Sequence, residues 1–302
     1  MTDARLRARH QQQVEELCAA AIRALAGEAD LHFRGRRLYR AGHPLPAFAP
    51  HLHPSLEEDD FTSFRGAADG IALRLAYSDR RLHDSLAPDD PIERLIFDLL
   101  EQLRVESLAQ DAMPGLRRNL RHRFRQWSEA FVQSGLTESA RGILLFSLAQ
   151  AVRTRLSGEA MPERTADMVE TTSVMLIGHI AHDLAALRRT RTDQRAFARH
   201  ARAIAATTCE LLASRDDERG DADDCQDGDD APDRTGLRLL MAQSSEGDGG
   251  VALADAGTSR VLEASSEGYR VFTRAYDREV DAESLVRAAL LAEYRERLDA
   301  RI

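Results

Sequence analysis

"DDPIERLIFDLLEQLRVESLAQ", residues 89 to 110, decides the fold class. Asp90 is placed to cap a helix, and Pro91 takes its first position, where a missing N–H costs nothing. Ile92, Leu95, Ile96, Leu99, Leu100 and Leu103 then recur at helical spacing and predict an amphipathic helix with one buried stripe. The same segment carries Asp98, Glu101, Arg104 and Glu106. Asp98 and Glu101 lie within one turn, and Glu101 is within reach of Arg104, whereas Glu106 lies roughly 140° around the axis from Glu101. Paired carboxylates suit acid–base chemistry or a cation, but no third partner stands at recognisable spacing. The reading is therefore a solvated, ion-paired face.

Helical patterning extends to both sides. Val14, Leu17, Cys18, Ala21, Ile22 and Leu25 form one face of a helix over 4–26 that stops at Gly27. A single helix is expected over 64–86, and others over about 114–133, 137–156, 163–189 and 193–213, separated by Gly135, Gly158 and Pro162. Before them, "LHFRGRRLYRAG" (31–42) suits a small β-hairpin about Gly35, and the Pro-rich "HPLPAFAPHLHP" (43–54) suits no regular element. The fold class is mainly α, a bundle of roughly seven helices.

Composition agrees. The chain has 302 residues, 43% of them hydrophobic and 5% aromatic, which favours helices packed through aliphatic side chains. Its net charge of −9 is accounted for by one tract, Asp216 to Asp233, where ten acidic residues stand against Arg219. The balanced remainder argues against a partner such as nucleic acid or an anionic membrane. Residues 215–268 read as an acidic, disordered linker between a helical domain (1–214) and a strand-helix segment (269–302) too small to fold alone. Within the linker, "GLRLLMAQ" suits a short strand or a turn of helix.

All 41 basic residues are arginine. Without lysine the chain can form neither a phosphate-binding loop of the nucleotide-hydrolase type nor a Schiff base, so any ATP is hydrolysed by a partner. Cys18, Cys209 and Cys225 are odd in number and far apart, which fits a reducing compartment and no structural zinc. With no apolar leader and no membrane-length apolar run, a cytoplasmic location is expected.

Candidate chemistry is thin. His179 and His182 share a helix face next to Asp183 and suggest half of a metal site, against the plainer reading of a surface His pair. His43, His51 and His53 lie in the Pro-rich connector. "RRNLRHRFRQW" (117–127) interleaves Arg117, Arg118, Arg121, Arg123 and Arg125 with Phe124 and Trp127, a pattern able to dock nucleic acid or an acidic protein surface, including the chain's own Asp-rich tract. The D-x-G-x-S run from Asp255 to Ser259 has a Gly where an Mg²⁺-binding D-x-S-x-S loop needs a ligand, and is read as coincidence. No nucleophile motif occurs, so catalysis by this chain alone is not expected.

Four stretches together resemble the CobT-type subunit of aerobic, ATP-dependent cobaltochelatase: "RGAADGIALRLAYSDRRLHDSLAP" (65–88), "IFDLLEQLRVESLA" (96–109), "DQRAFARHARAIA" (193–205) and "YRVFTRAYD" (269–277). The resemblance implies an accessory subunit that couples an AAA+ motor (CobS type) to a large chelating subunit (CobN type) inserting Co²⁺ into hydrogenobyrinic acid a,c-diamide, within a homo-oligomeric ring. It implies no cofactor on this chain, while the complex uses ATP, Mg²⁺ and Co²⁺. In the family a von Willebrand factor A domain follows the tyrosine-led segment, so residues 269–302 are expected to be its lead-in. Arg65, Asp69, Arg74, Phe97, Asp98, Glu101, Arg104 and Glu106 occupy family-like blocks and are the expected partner-binding positions, with a structural role as the alternative. Two other readings are a helical interaction module for another AAA+ protein and a metal-dependent enzyme built on His179 and His182.

Overall fold

The computed structural model describes residues 3–34, 37–46, 48–54, 59–109 and 113–220. The acidic tract beyond Gly220, Cys225, the 255–259 run and the strand-helix segment expected over 269–302 lie outside the described residues. Among the described residues there are eight α-helices: α1 Asp3–Ala26, α2 Phe61–Tyr77, α3 Arg80–Leu86, α4 Pro91–Glu106, α5 Pro114–Gln133, α6 Ala140–Ser157, α7 Glu163–Thr190 and α8 Gln194–Gly220. The expected hairpin is present as β1 Leu31–Arg34 and β2 Arg37–Arg40, antiparallel with Leu31 opposite Arg40 and Phe33 opposite Leu38.

The sequence reading needs four corrections. The helix expected over 64–86 is two, because Ser78 is extended and the Asp79 side chain accepts from the Leu82 amide to start α3. The connector after the hairpin is partly regular: His43–Pro44 is a third strand, β3, paired with β2, and Pro50–Leu52 is a 3-10 turn. Helix α8 runs to Gly220, past the expected end near residue 213, since extending a packed helix adds a hydrogen bond for each residue fixed. Finally, α4 has no solvated face in its second half.

That last point follows from the packing. Helix α4 lies against α2, α6 and α8. From Ile96 to Glu106 every residue except Asp98 is buried, whereas Ile92 and Leu95 in the first turns are half-buried. The main hydrophobic core joins Ile96, Leu100 and Leu103 of α4 to Phe124, Trp127 and Phe131 of α5, Leu144 and Leu148 of α6, Leu176 and Ile180 of α7, and Phe197 and Ile204 of α8. A second cluster packs Val14, Cys18 and Ile22 of α1 on Leu31 and Leu38 of the sheet and Ala68 and Ala72 of α2. Close approach of α2 to α5 depends on Gly66: a Cβ there would overlap the Asn119 carbonyl oxygen and lie 2.7 Å from Arg123 Cβ.

Candidate functional site

Helix α4, its Asp90 side chain accepting from the Ile92 and Glu93 amides, carries a column of charged and polar side chains into the interior. At its outer end, Asp98 Oδ1 is 2.5 Å from His83 Nε2 and 3.6 Å from Arg74 Nη2. His83 Nε2 is also 3.0 Å from Arg74 Nη2; the short carboxylate contact makes that imidazole nitrogen a donor, so its approach to the guanidinium, which can only donate, is not a hydrogen bond. The His83 ring stacks on Phe97 at 4.7 Å. Burial pushes the Arg74 guanidinium below its ordinary pKa, against the pull of Glu101 and Asp98.

One turn on, Arg104 forks onto Glu101 through Nε (2.7 Å) and Nη2 (2.8 Å), and Ser78 Oγ donates to the same carboxylate at 2.6 Å. Arg104 also donates to the Tyr77 carbonyl (2.7 Å) and the Arg191 carbonyl (3.0 Å). Those carbonyls close α2 and follow α7, so one cation satisfies two helix C-termini and faces the negative end of each dipole. The Gln194 side chain completes the junction, accepting from the Asp79 amide and donating to the Asp79 carbonyl.

Deeper, Glu106 accepts from Gln102 (3.0 Å) and Arg153 (3.3 Å) and lies 2.6 Å from His51 Nε2. Burial would raise the Glu106 pKa, yet the adjacent His51 and Arg153 hold it below the ordinary carboxylate value. Arg153 packs over Phe124 and reaches Glu159, which Arg121 also binds. Here the column opens into a cavity of about 270 Å³ at the C-terminal ends of α4 and α6, where Arg117, Arg153 and Arg191 face Glu106 and Glu159.

The partner-binding positions expected from the sequence thus divide. Asp69, Arg74, Phe97, Glu101, Arg104 and Glu106 are all buried, and their polar groups are held by neighbouring side chains or backbone. Asp69, for example, is closed off by Arg65 at 2.8 Å and Asn119 at 2.8 Å. Arg65 and Asp98 retain exposed side-chain surface, 39% and 30% respectively, and are the two of the eight that a partner can reach directly. The solvated ion-paired face expected on α4 is a buried ion-paired one.

Other sequence candidates separate as well. His179 and His182 are both exposed on α7, while Asp183 is bonded to His200 at 2.7 Å. Among the described residues, no three His, Cys, Asp or Glu side chains gather to hold a metal. His43 is exposed on β3, His51 is buried on Glu106, and the His53 Nε2 is buried without a partner. In the Arg-rich helix Phe124 and Trp127 belong to the core, and Arg123 is buried, donating to the His51 carbonyl, Asp59 and Ser63. Sequence reasoning missed His83, Arg153, Gln102 and Gln194. Arg123 had a signal, since it falls in step with Leu116, Leu120 and Trp127 on an apolar stripe.

No helix of the described residues is long and apolar enough to cross a membrane. No solved structure matches the chain. A family model described as "Cobalamin biosynthesis protein CobT" matches residues 9–279, taking in all four of the resembling stretches. With a match of that extent over the helices that hold the buried column, the chain belongs to the CobT family of cobalamin biosynthesis proteins.

Proposed function

We propose that the chain is an accessory subunit of ATP-dependent cobaltochelatase, linking an AAA+ motor to a large chelating subunit that inserts Co²⁺ into hydrogenobyrinic acid a,c-diamide. The family match over residues 9–279 carries this reading. The fold supports it in one respect. An adaptor that passes movement between two partners must not deform under load, and Arg104 ties the end of α2, the end of α7 and α4 together at one point. Cobalt and the corrin precursor are substrates of the complex, and nucleotide turnover belongs to the motor, which agrees with a chain that has no lysine.

The test is reconstitution. Purified motor and chelating subunits, supplied with ATP, Mg²⁺, Co²⁺ and the corrin precursor, are assayed with and without this chain, alongside co-elution of the chain with the motor. Cobalt insertion that needs the chain is expected. Equal insertion without it, with co-elution retained, would instead favour an interaction module serving another AAA+ protein.

A further inference from the structure

Helix α7 packs against α6 and α8 through Val169, Leu176, Ile180, Leu184 and Leu187, and leaves the opposite face open. At the middle of that face Val174 is 71% exposed and Ile177 39% exposed, beside exposed Gly178 and Ala181. Single exposed apolar side chains are ordinary on a protein surface, so what this face can contact is decided by the charges that flank it.

The charges around the patch are arranged with opposite sign at its two ends. Asp167 and Glu170 are exposed on the N-terminal side, and Arg188 and Arg189 on the C-terminal side. Neither Asp167 nor Arg188 is ion-paired among the described residues. Asp167, Val174, Ile177, Gly178, Ala181 and Arg188 all fall within about 50° of one line along the helix. The point midway between Asp167 and Arg188 is the Ile177–Gly178 bond, and Val174 and Ala181 are equidistant from it. A stripe that runs acid, apolar, basic about its own midpoint is complementary to itself when reversed, which is the requirement of a two-fold contact.

We propose that the α7 face binds a second copy of this chain, with the two helices antiparallel about an axis through Ile177 and Gly178. Val174 of each copy then meets Ala181 of the other, and Asp167 meets Arg188 twice. A parallel arrangement would set acid against acid, and the helix dipoles also favour the antiparallel one. Gly178 and Ala181 let the backbones approach closely, since no atom lies within 4 Å of a Cβ built at Gly178.

Sedimentation of the whole 302-residue chain over about 1 to 100 µM tests this. A monomer–dimer equilibrium is expected, weakened at least about tenfold by Val174→Arg, a fully tolerable change at so exposed a site. Asp167→Arg or Arg188→Asp alone should weaken the dimer about fivefold at low salt, and the two combined should restore it to within about twofold. A chain that stays monomeric throughout overturns the proposal. So does a dimer indifferent to Val174→Arg and to both charge reversals, because it would associate through another face.

Discussion

Removing the Arg104 guanidinium would leave the Glu101 carboxylate, 2% exposed, in a nearly dry interior without its cation, and would strip the Tyr77 and Arg191 carbonyls of a donor. Breaking one side of such a pair costs about 3–5 kcal/mol, so Arg104→Ala should lower the stability measured by urea unfolding by that amount. Arg104→Lys should recover little, because one ammonium cannot form the fork and reach both carbonyls. His53 gives a pH dependence of definite sign. Burial, with His51 and the Arg123 guanidinium close by, lowers its pKa from 6.5 to about 4. The unfolded chain therefore takes up a proton that the folded chain refuses. This contribution to stability is complete above pH 6.5 and is lost as the pH falls to about 4, by about 3 kcal/mol. Urea midpoints taken across that window should fall steeply for the native chain and less for His53→Gln. The Glu106 carboxylate, its pKa also lowered, contributes separately: its share is present above its unfolded pKa and lost as the pH falls through the folded one.

At the level of elements, the α2–α5 contact is the most sensitive to added volume. Gly66→Ala would drive a methyl group into the Asn119 carbonyl, which belongs to helix backbone and cannot swing aside. A loss of about 1–3 kcal/mol is expected from calorimetry, whereas Gly115→Ala, with open space around it, should be close to neutral. The helices themselves were legible because caps and periodicity are local: Asp90 with Pro91, and Gly158, mark ends that can be read residue by residue, whereas the helix expected from about 137 begins at Ala140, after a 3-10 turn over Leu136–Glu138. The division between α2 and α3 was missed although Asp79 is a cap former, and two of the side chains that hold the break, Gln194 on Asp79 and Arg104 on the Tyr77 carbonyl, come from far along the chain. The buried column was half legible. Glu101 and Arg104 pair at i, i+3 as their spacing requires, but whether such a pair faces water depends on how many helices surround α4. Periodicity gives the direction of a side chain and says nothing of what covers it.

For the whole molecule, the decisive question is how much of the chain is needed for folding and how much for its partners. Among the described residues the three hydrophobic clusters run from Val14 to Leu212, and the buried column is closed by His51 and by residues of α2 to α8. A chain ending at Gly220 is therefore expected to unfold cooperatively, with a urea midpoint matching that of the 302-residue chain. A truncated chain that melts at markedly lower urea, or without cooperativity, would show that residues beyond Gly220 contribute to the core. Given a folded truncation, a binding assay against the proposed AAA+ motor tests where docking resides. Arg65 and Asp98 are reachable near the α2 and α4 surfaces, so retention on the motor with undiminished affinity would place docking on the helical part, and Arg65→Glu should then weaken it about three- to tenfold. The Arg65 change also frees one oxygen of buried Asp69, so the same variant must be shown to unfold within about 2 kcal/mol of the parent before its binding is interpreted. Loss of binding on truncation, with stability intact, would assign motor recognition to residues 221–302.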